Sequence, residues 1–141
     1  MKIDVEKIAP IFRSFPFIAA AYQFGSTVRG QGGPLSDLDI AILVDERAPS
    51  PVNLLRIELL LAYEFQKHLK VPEVDLLTLN HQRLSLQQAI LRTGRLIYEA
   101  DAKYRVQFMQ KVIQAYLDFQ PTSKFIEKFH TRGRLMRCGI R

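Results

Sequence analysis

The sequence predicts one α/β domain, a small mixed β-sheet flanked by helices, and three observations lead there. Short apolar runs of strand length, Ile18 to Phe24 and Leu38 to Val44, alternate with longer stretches of helical periodicity. Glycines and prolines fall between these segments rather than within most of them. At 141 residues the chain is long enough for one core and too short for a catalytic domain plus a large substrate domain.

Asp4 to Ser14 reads as a short amphipathic helix disturbed by Pro10. Ile18 to Phe24 is an apolar run ending at Gly25, which suits a buried strand, and Leu38 to Val44 is a second. Pro51 to Leu69 reads as a long helix with proline in its first turn. Its apolar residues cover much of the circumference, which predicts burial on more than one side. Pro72 introduces a third strand, Glu73 to Leu79, and Ser85 to Thr93 is a short helix stopped by Gly94. Arg95 to Tyr98 is a brief strand, and Asp101 is placed to cap a final helix. Phe108, Val112, Ala115, Tyr116 and Phe119 form its apolar stripe, and Pro121 interrupts it. No repeat or low-complexity segment is present.

Composition removes several classes of function. One cysteine, Cys138, cannot form an internal disulfide, and no stretch approaches the roughly 20 apolar residues of a membrane span. The N-terminus carries acidic residues and lacks the long apolar run of a secretory signal, so the expected location is cytoplasmic. His68, His81 and His130 have no metal-ligand spacing, and no Ser/His/Asp or Cys/His arrangement is readable. The net charge of +6 is concentrated at one end. Lys124, Lys128, Arg132, Arg134, Arg137 and Arg141 face a single acid, Glu127, which makes +5 of the total. The expected organisation is therefore a domain over 1–121 and a basic tail over 122–141. Such a tail is either a solvated end or a contact for an acidic protein or a nucleic acid.

Candidate chemistry lies in FGSTVRGQGGPLSDLDI, from Phe24 onward. A strand ends at Gly25, where the absent side chain lets a ligand approach the backbone. Ser26 then opens a short helix whose free amides, positive end and hydroxyl would seat phosphate. Arg29, one turn on, would reach the same phosphates. Asp37 and Asp39 are two apart at the start of a strand, so their carboxylates share one face. They repel unless a cation intervenes, and an oxygen-only site beside phosphate suits magnesium. Each fragment alone is ordinary: Gly-Ser is a common turn, and Asp37 could be a turn acid. Asp75 is the one charge inside the apolar segment VDLLTL, where a lone buried acid is costly without a partner. If its strand lies beside Leu38 to Val44, it joins the other two acids. If that strand is an edge, Asp75 faces solvent.

Together, Gly25-Ser26, ten intervening residues, Asp37-x-Asp39 and a later strand acid at Asp75 resemble the DNA polymerase β-type nucleotidyltransferase superfamily. The nearest likeness is to its minimal (MNT) branch. Arg29-Gly30 after the Gly-Ser and Ser36 before the acids fit too, whereas Thr27 stands where many members carry arginine. The likeness runs from about Ile18 to Phe119. It implies that Asp37, Asp39 and Asp75 are catalytic and hold two magnesium ions, with Asp75 on the acceptor side. It also implies that Gly25 and Ser26, with Arg29, hold the triphosphate of ATP. Minimal members commonly act as antitoxins beside a HEPN-domain toxin, some by transferring AMP to a toxin tyrosine. The resemblance therefore implies a HEPN partner, with the Pro51–Leu69 and Asp101–Phe119 helices as its candidate surfaces. Two other functions stay open: an antitoxin that only occludes its partner, and a transferase for a small hydroxylated molecule.

Overall fold

The computed structural model describes residues 3–25 and 38–131, with side chains through residue 119. Asp4 opens the first helix, α1 (Val5–Arg13), by accepting a hydrogen bond from the Glu6 amide at 3.1 Å. Pro10 forfeits one helical hydrogen bond, yet the helix passes through it and buries Ile8, Ala9 and Phe12. Then follow β1 (Ile18–Phe24), β2 (Leu38–Val44) and α2 (Pro51–Leu69). The chain continues through β3 (Val74–Thr78), a 3-10 turn at Leu79–His81, α3 (Leu84–Thr93), β4 (Arg95–Glu99) and α4 (Ala102–Thr131).

The four strands lie in the order β3-β2-β1-β4. β1 runs antiparallel to both β2 and β4, and β2 runs parallel to β3. The parallel pair requires a crossover, which α2 supplies. Helices cover both faces. Ile8 and Phe12 of α1 and Leu54, Leu61 and Phe65 of α2 pack on Ile40 and Ile42. Opposite them, Tyr22 and Ala41 meet Ile90 of α3, and Ala20 and Leu43 meet Tyr104 and Phe108 of α4. This is why β1 and β2 read as unbroken apolar runs: their residues are enclosed from both sides.

Three expectations are corrected. α2 is not buried on more than one side: only Leu54, Leu61 and Phe65 are enclosed, whereas Val52 is 65% and Tyr63 61% exposed. A two-sided apolar helix needs a second layer, and among the described residues none lies outside α2. Pro121 does not end the last helix, which continues to Thr131. A proline removes one hydrogen bond from a long helix, and the remaining bonds carry the backbone past it. Along the proposed apolar stripe of α4, Val112 is buried while Ala115 is exposed, because the helix buries only the residues that meet α3 and the sheet.

Sequence-predicted boundaries otherwise match closely, with Pro51 at the first turn of α2 and Gly94 closing α3 onto the carbonyl of Ile90 at 2.8 Å. Asp101 caps α4 by accepting from the Tyr104 amide at 3.0 Å.

Candidate active site

One end of the sheet gathers the acids. β1 ends there and β2 and β3 begin there, since β1 is antiparallel to β2 and β2 parallel to β3. Asp39 is flanked by Phe24 of β1 on one side and by Asp75 of β3 on the other. In a parallel pair, residues in register point to the same face, with neighbouring strands about 4.8 Å apart. The carboxylates of Asp39 and Asp75 therefore stand side by side on the α3/α4 face, next to Ala41 and Leu77 of the same strand faces.

Asp75 is not a buried acid. It is exposed, because β3 is an outer strand of the sheet and, among the described residues, no further strand lies beyond it. Both sequence alternatives are thus realised together: the strand is an edge, and it also lies beside Leu38 to Val44. Asp39 is half-buried between its neighbours.

Gly25 closes the group on the β1 side with φ +85°, a conformation that favours glycine. A Cβ at this position would lie 2.3 Å from Oδ2 of Asp39. The backbone of Gly25 is therefore pressed against the Asp39 carboxylate, and only hydrogen fits between them. Ser26, Arg29 and Asp37 lie outside the described residues.

The donor set of Asp39 and Asp75 consists of carboxylate oxygens alone, which suits a hard cation such as magnesium rather than a soft one. Among the described residues there is no cluster of three or more His, Cys, Asp and Glu side chains placed to hold a metal, and Asp37 is not among those residues.

Deeper on the same face, Arg105 of α4 donates to the Tyr22 hydroxyl at 3.4 Å and pairs with Glu99. These hydrogen bonds, to Tyr22 first and to Glu99 second, hold the Arg105 pKa above its ordinary value. The sequence did not announce this group, since it joins a strand to a helix through residues 83 positions apart. Tyr22, expected as a core or interface residue, is buried.

The family model for polymerase beta nucleotidyltransferases matches residues 6–103. A chain from the crystal structure of a toxin–antitoxin complex with AMP-PNP shares the fold, with a TM-score of 0.71 and 24% identity over 92% of this chain and 99% of the other. A chain from the complex of tri-AMPylated Shewanella oneidensis HEPN toxin with MNT antitoxin superposes with a TM-score of 0.64 and 23% identity, covering 90% and 95% of the two chains. A chain from the MntA–HepT toxin–antitoxin complex gives the same score and identity over 90% and 96%. No curated protein matches the chain in sequence. The family match spans most of the chain, from α1 to the start of α4 and across the whole sheet, and the chain belongs to the polymerase beta nucleotidyltransferase family.

Proposed function

We propose that this chain is the antitoxin of a HEPN–MNT pair and transfers AMP from ATP to a tyrosine of its HEPN ribonuclease toxin. The observation that carries the reading is the register of Asp39 against Asp75 beside Gly25, within a nucleotidyltransferase domain. Structural neighbours support the choice of reaction and partner, one being a complex with AMP-PNP and another containing a tri-AMPylated HEPN toxin.

In this reading Gly25 and Ser26, with Arg29, hold the β and γ phosphates through close backbone approach and free amides. Asp37, Asp39 and Asp75 would hold magnesium. When bound, magnesium would offset the charge of the triphosphate and lower the barrier to attack at phosphorus. Asp75, outermost of the group, orients the acceptor hydroxyl and takes its proton. The tyrosine oxygen forms the new bond to the α-phosphorus, and the bond from that phosphorus to the leaving pyrophosphate breaks.

The exposed apolar stripe of α2, through Val52, Leu55, Leu59 and Tyr63, supports a protein partner, since such patches mark interaction surfaces. The catalytic domain in this reading is 1–121, with 122–141 as a basic extension in a cytoplasmic protein. Among the described residues, no helix is long and apolar enough to cross a membrane.

Intact-mass spectrometry of the co-expressed toxin tests the proposal. Each adduct should add about 329 Da, the mass of a covalently added AMP. The Asp39→Asn chain should bind the toxin and leave its mass unchanged. Full neutralisation of an unmodified toxin by the wild-type chain would establish occlusion in place of chemistry.

A further inference from the structure

We infer that the free edge of β3 is an acceptor-docking strand: the protein substrate presents its tyrosine on an extended segment that pairs with β3. The inference rests on the nucleotidyltransfer reading and names the acceptor class for the same site.

The direction of approach comes from the order of the group. Gly25 lies on β1, Asp39 on the central strand and Asp75 on the outermost strand. β1 and β2 occupy the inner side of Asp75, so among the described residues the open side is the edge of β3.

The hydrogen-bonding phase of that edge follows from one bond. The Leu38 amide donates to the Glu73 carbonyl at 3.1 Å, while Leu38 pairs with Val74. In a parallel ladder this phase turns the backbone of residues 73, 75 and 77 toward β2 and that of Val74, Leu76 and Thr78 outward. The outward carbonyl of Thr78 accepts from Gln82 Nε2 at 3.1 Å. Among the described residues, no backbone group pairs with the outward sides of Val74 and Leu76.

Sheets usually blunt such an edge with lysine, proline or a bulge. The opposite edge does so: β4 begins with Arg95, ends with Glu99, and has a register shift against β1. β3 has no lysine, proline or bulge. Its pairing with β2 is regular through five positions, its segment is VDLLT, and its single charge is Asp75.

An added strand gains affinity from main-chain hydrogen bonds and selectivity from alternate side chains. A tyrosine in register with Asp75 would share its face, and hence the face of Asp39, at one strand spacing from Asp75. A free phenol or a small hydroxylated molecule would gain none of these bonds.

The test uses the full chain with magnesium, ATP and three acceptors: acetyl-Thr-Val-Tyr-Val-Thr-amide, the same peptide N-methylated at the residues flanking tyrosine, and N-acetyltyrosinamide. AMP incorporation gives kcat/KM for each. Two main-chain hydrogen bonds at about 1 kcal/mol each should favour the plain peptide by at least ~10-fold over both others. Leu76→Pro removes one outward amide while leaving the bonds to β2 intact, and should lower kcat/KM for the peptide at unchanged ATP affinity. Leu76→Ala, which loses similar packing but keeps the amide, should retain the wild-type preference. Equal rates for the three acceptors, or no transfer to the peptide by a chain that binds ATP, would overturn the docking strand alone. A chain that binds no ATP would overturn the nucleotidyltransfer reading and this inference with it. If Leu76→Pro does not fold, the N-methylated peptide probes the same bonds from the acceptor side.

Discussion

The two ends of β2 carry aspartates only six residues apart, and the sheet treats them in opposite ways. Asp45, just past the end of β2, is buried and satisfied. Its carboxylate accepts from the Arg47 backbone amide at 2.9 Å and from the Arg47 guanidinium at 2.7 Å, and its own amide donates to Phe17 at 2.9 Å. The same guanidinium also donates to the Pro16 carbonyl at 2.7 Å, tying the turn after β2 to the start of β1. Burial pushes the Asp45 carboxyl up, and the Arg47 hydrogen bonds and charge outweigh it, leaving the pKa below the usual carboxylate value. At the other end, Asp39 is set beside a second carboxylate, Asp75, with a glycine backbone pressed against it. Asp45 is held by Arg47. Asp39 stands in register with a second carboxylate, and a pair of carboxylates suits an incoming cation. The lesson is that the partners of a carboxylate, rather than its presence, separate a structural acid from a candidate catalytic one.

The largest expected effect is at the site end. Asp39→Asn should lower AMP transfer by at least ~100-fold, because a lost metal ligand forfeits several kcal/mol of transition-state stabilisation. Its melting temperature should be unchanged or slightly raised, since one of two adjacent charges is removed. Calorimetric unfolding beside a transfer assay reads both. A large drop in stability with activity retained would place Asp39 with Asp45 as a structural acid.

Gly25→Ala should come next. The positive φ alone costs an alanine about 1 kcal/mol. The added methyl would also meet Oδ2 of Asp39 at 2.3 Å, so the carboxylate must move. We expect a modest loss of stability and a disproportionate loss of transfer, seen as a lower kcat in steady-state kinetics. A variant that loses stability but keeps kcat would show that the contact only shapes the turn.

Much of the fold could be read from the sequence because both central strands are covered on two faces. Their apolar runs, Ile18–Phe24 and Leu38–Val44, stand between glycine and polar segments, and their limits coincide with β1 and β2. Apolar character failed as a guide on α2, because Val52 and Tyr63 look like core residues in sequence and are exposed in the fold. Burial depends on whether a second layer lies opposite, which periodicity does not encode. The side-by-side placement of Asp39 and Asp75 was readable only as a condition, that β3 neighbours β2. Strand order is a long-range property, and no local signal around Asp75 carries it. The Asp45–Arg47 clamp and the Tyr22–Arg105 contact were missed for different reasons. The first looks like any polar turn, and the second spans the chain.

At the far end, Asn80 replaces a strand. Its side-chain oxygen accepts from the Val44 amide at 2.9 Å and its nitrogen donates to the Val44 carbonyl at 2.8 Å, so β2 is completed by an amide side chain. Asn80→Ala should cost about 1–2 kcal/mol, the loss of two part-buried hydrogen bonds. Transfer activity should change little, because the contact lies at the end of β2 remote from Asp39. Urea denaturation and the transfer assay together sharpen the contrast: a comparable loss of activity would mean that the two ends are mechanically coupled through β2.

The smallest effect expected is the pH dependence conferred by Asp45. Its folded pKa is depressed, so near pH 4 the unfolded chain binds more protons than the folded one at this residue. The stabilisation it provides is therefore fully present above the ordinary carboxylate range and is lost as pH falls through the lowered folded value. Asp45→Asn cannot titrate and keeps similar volume, but it weakens the bond to Arg47. The variant should melt a few degrees below wild type at pH 7, the scale expected for a domain of this size losing one charge-assisted contact. Between pH 5 and pH 2 the two curves should converge, since wild type loses there what the variant never had. Differential scanning calorimetry across that range measures the gap. A constant gap at every pH would assign the Asp45 contribution to its neutral hydrogen bonds, and the far-end acid would then owe nothing to charge pairing with Arg47.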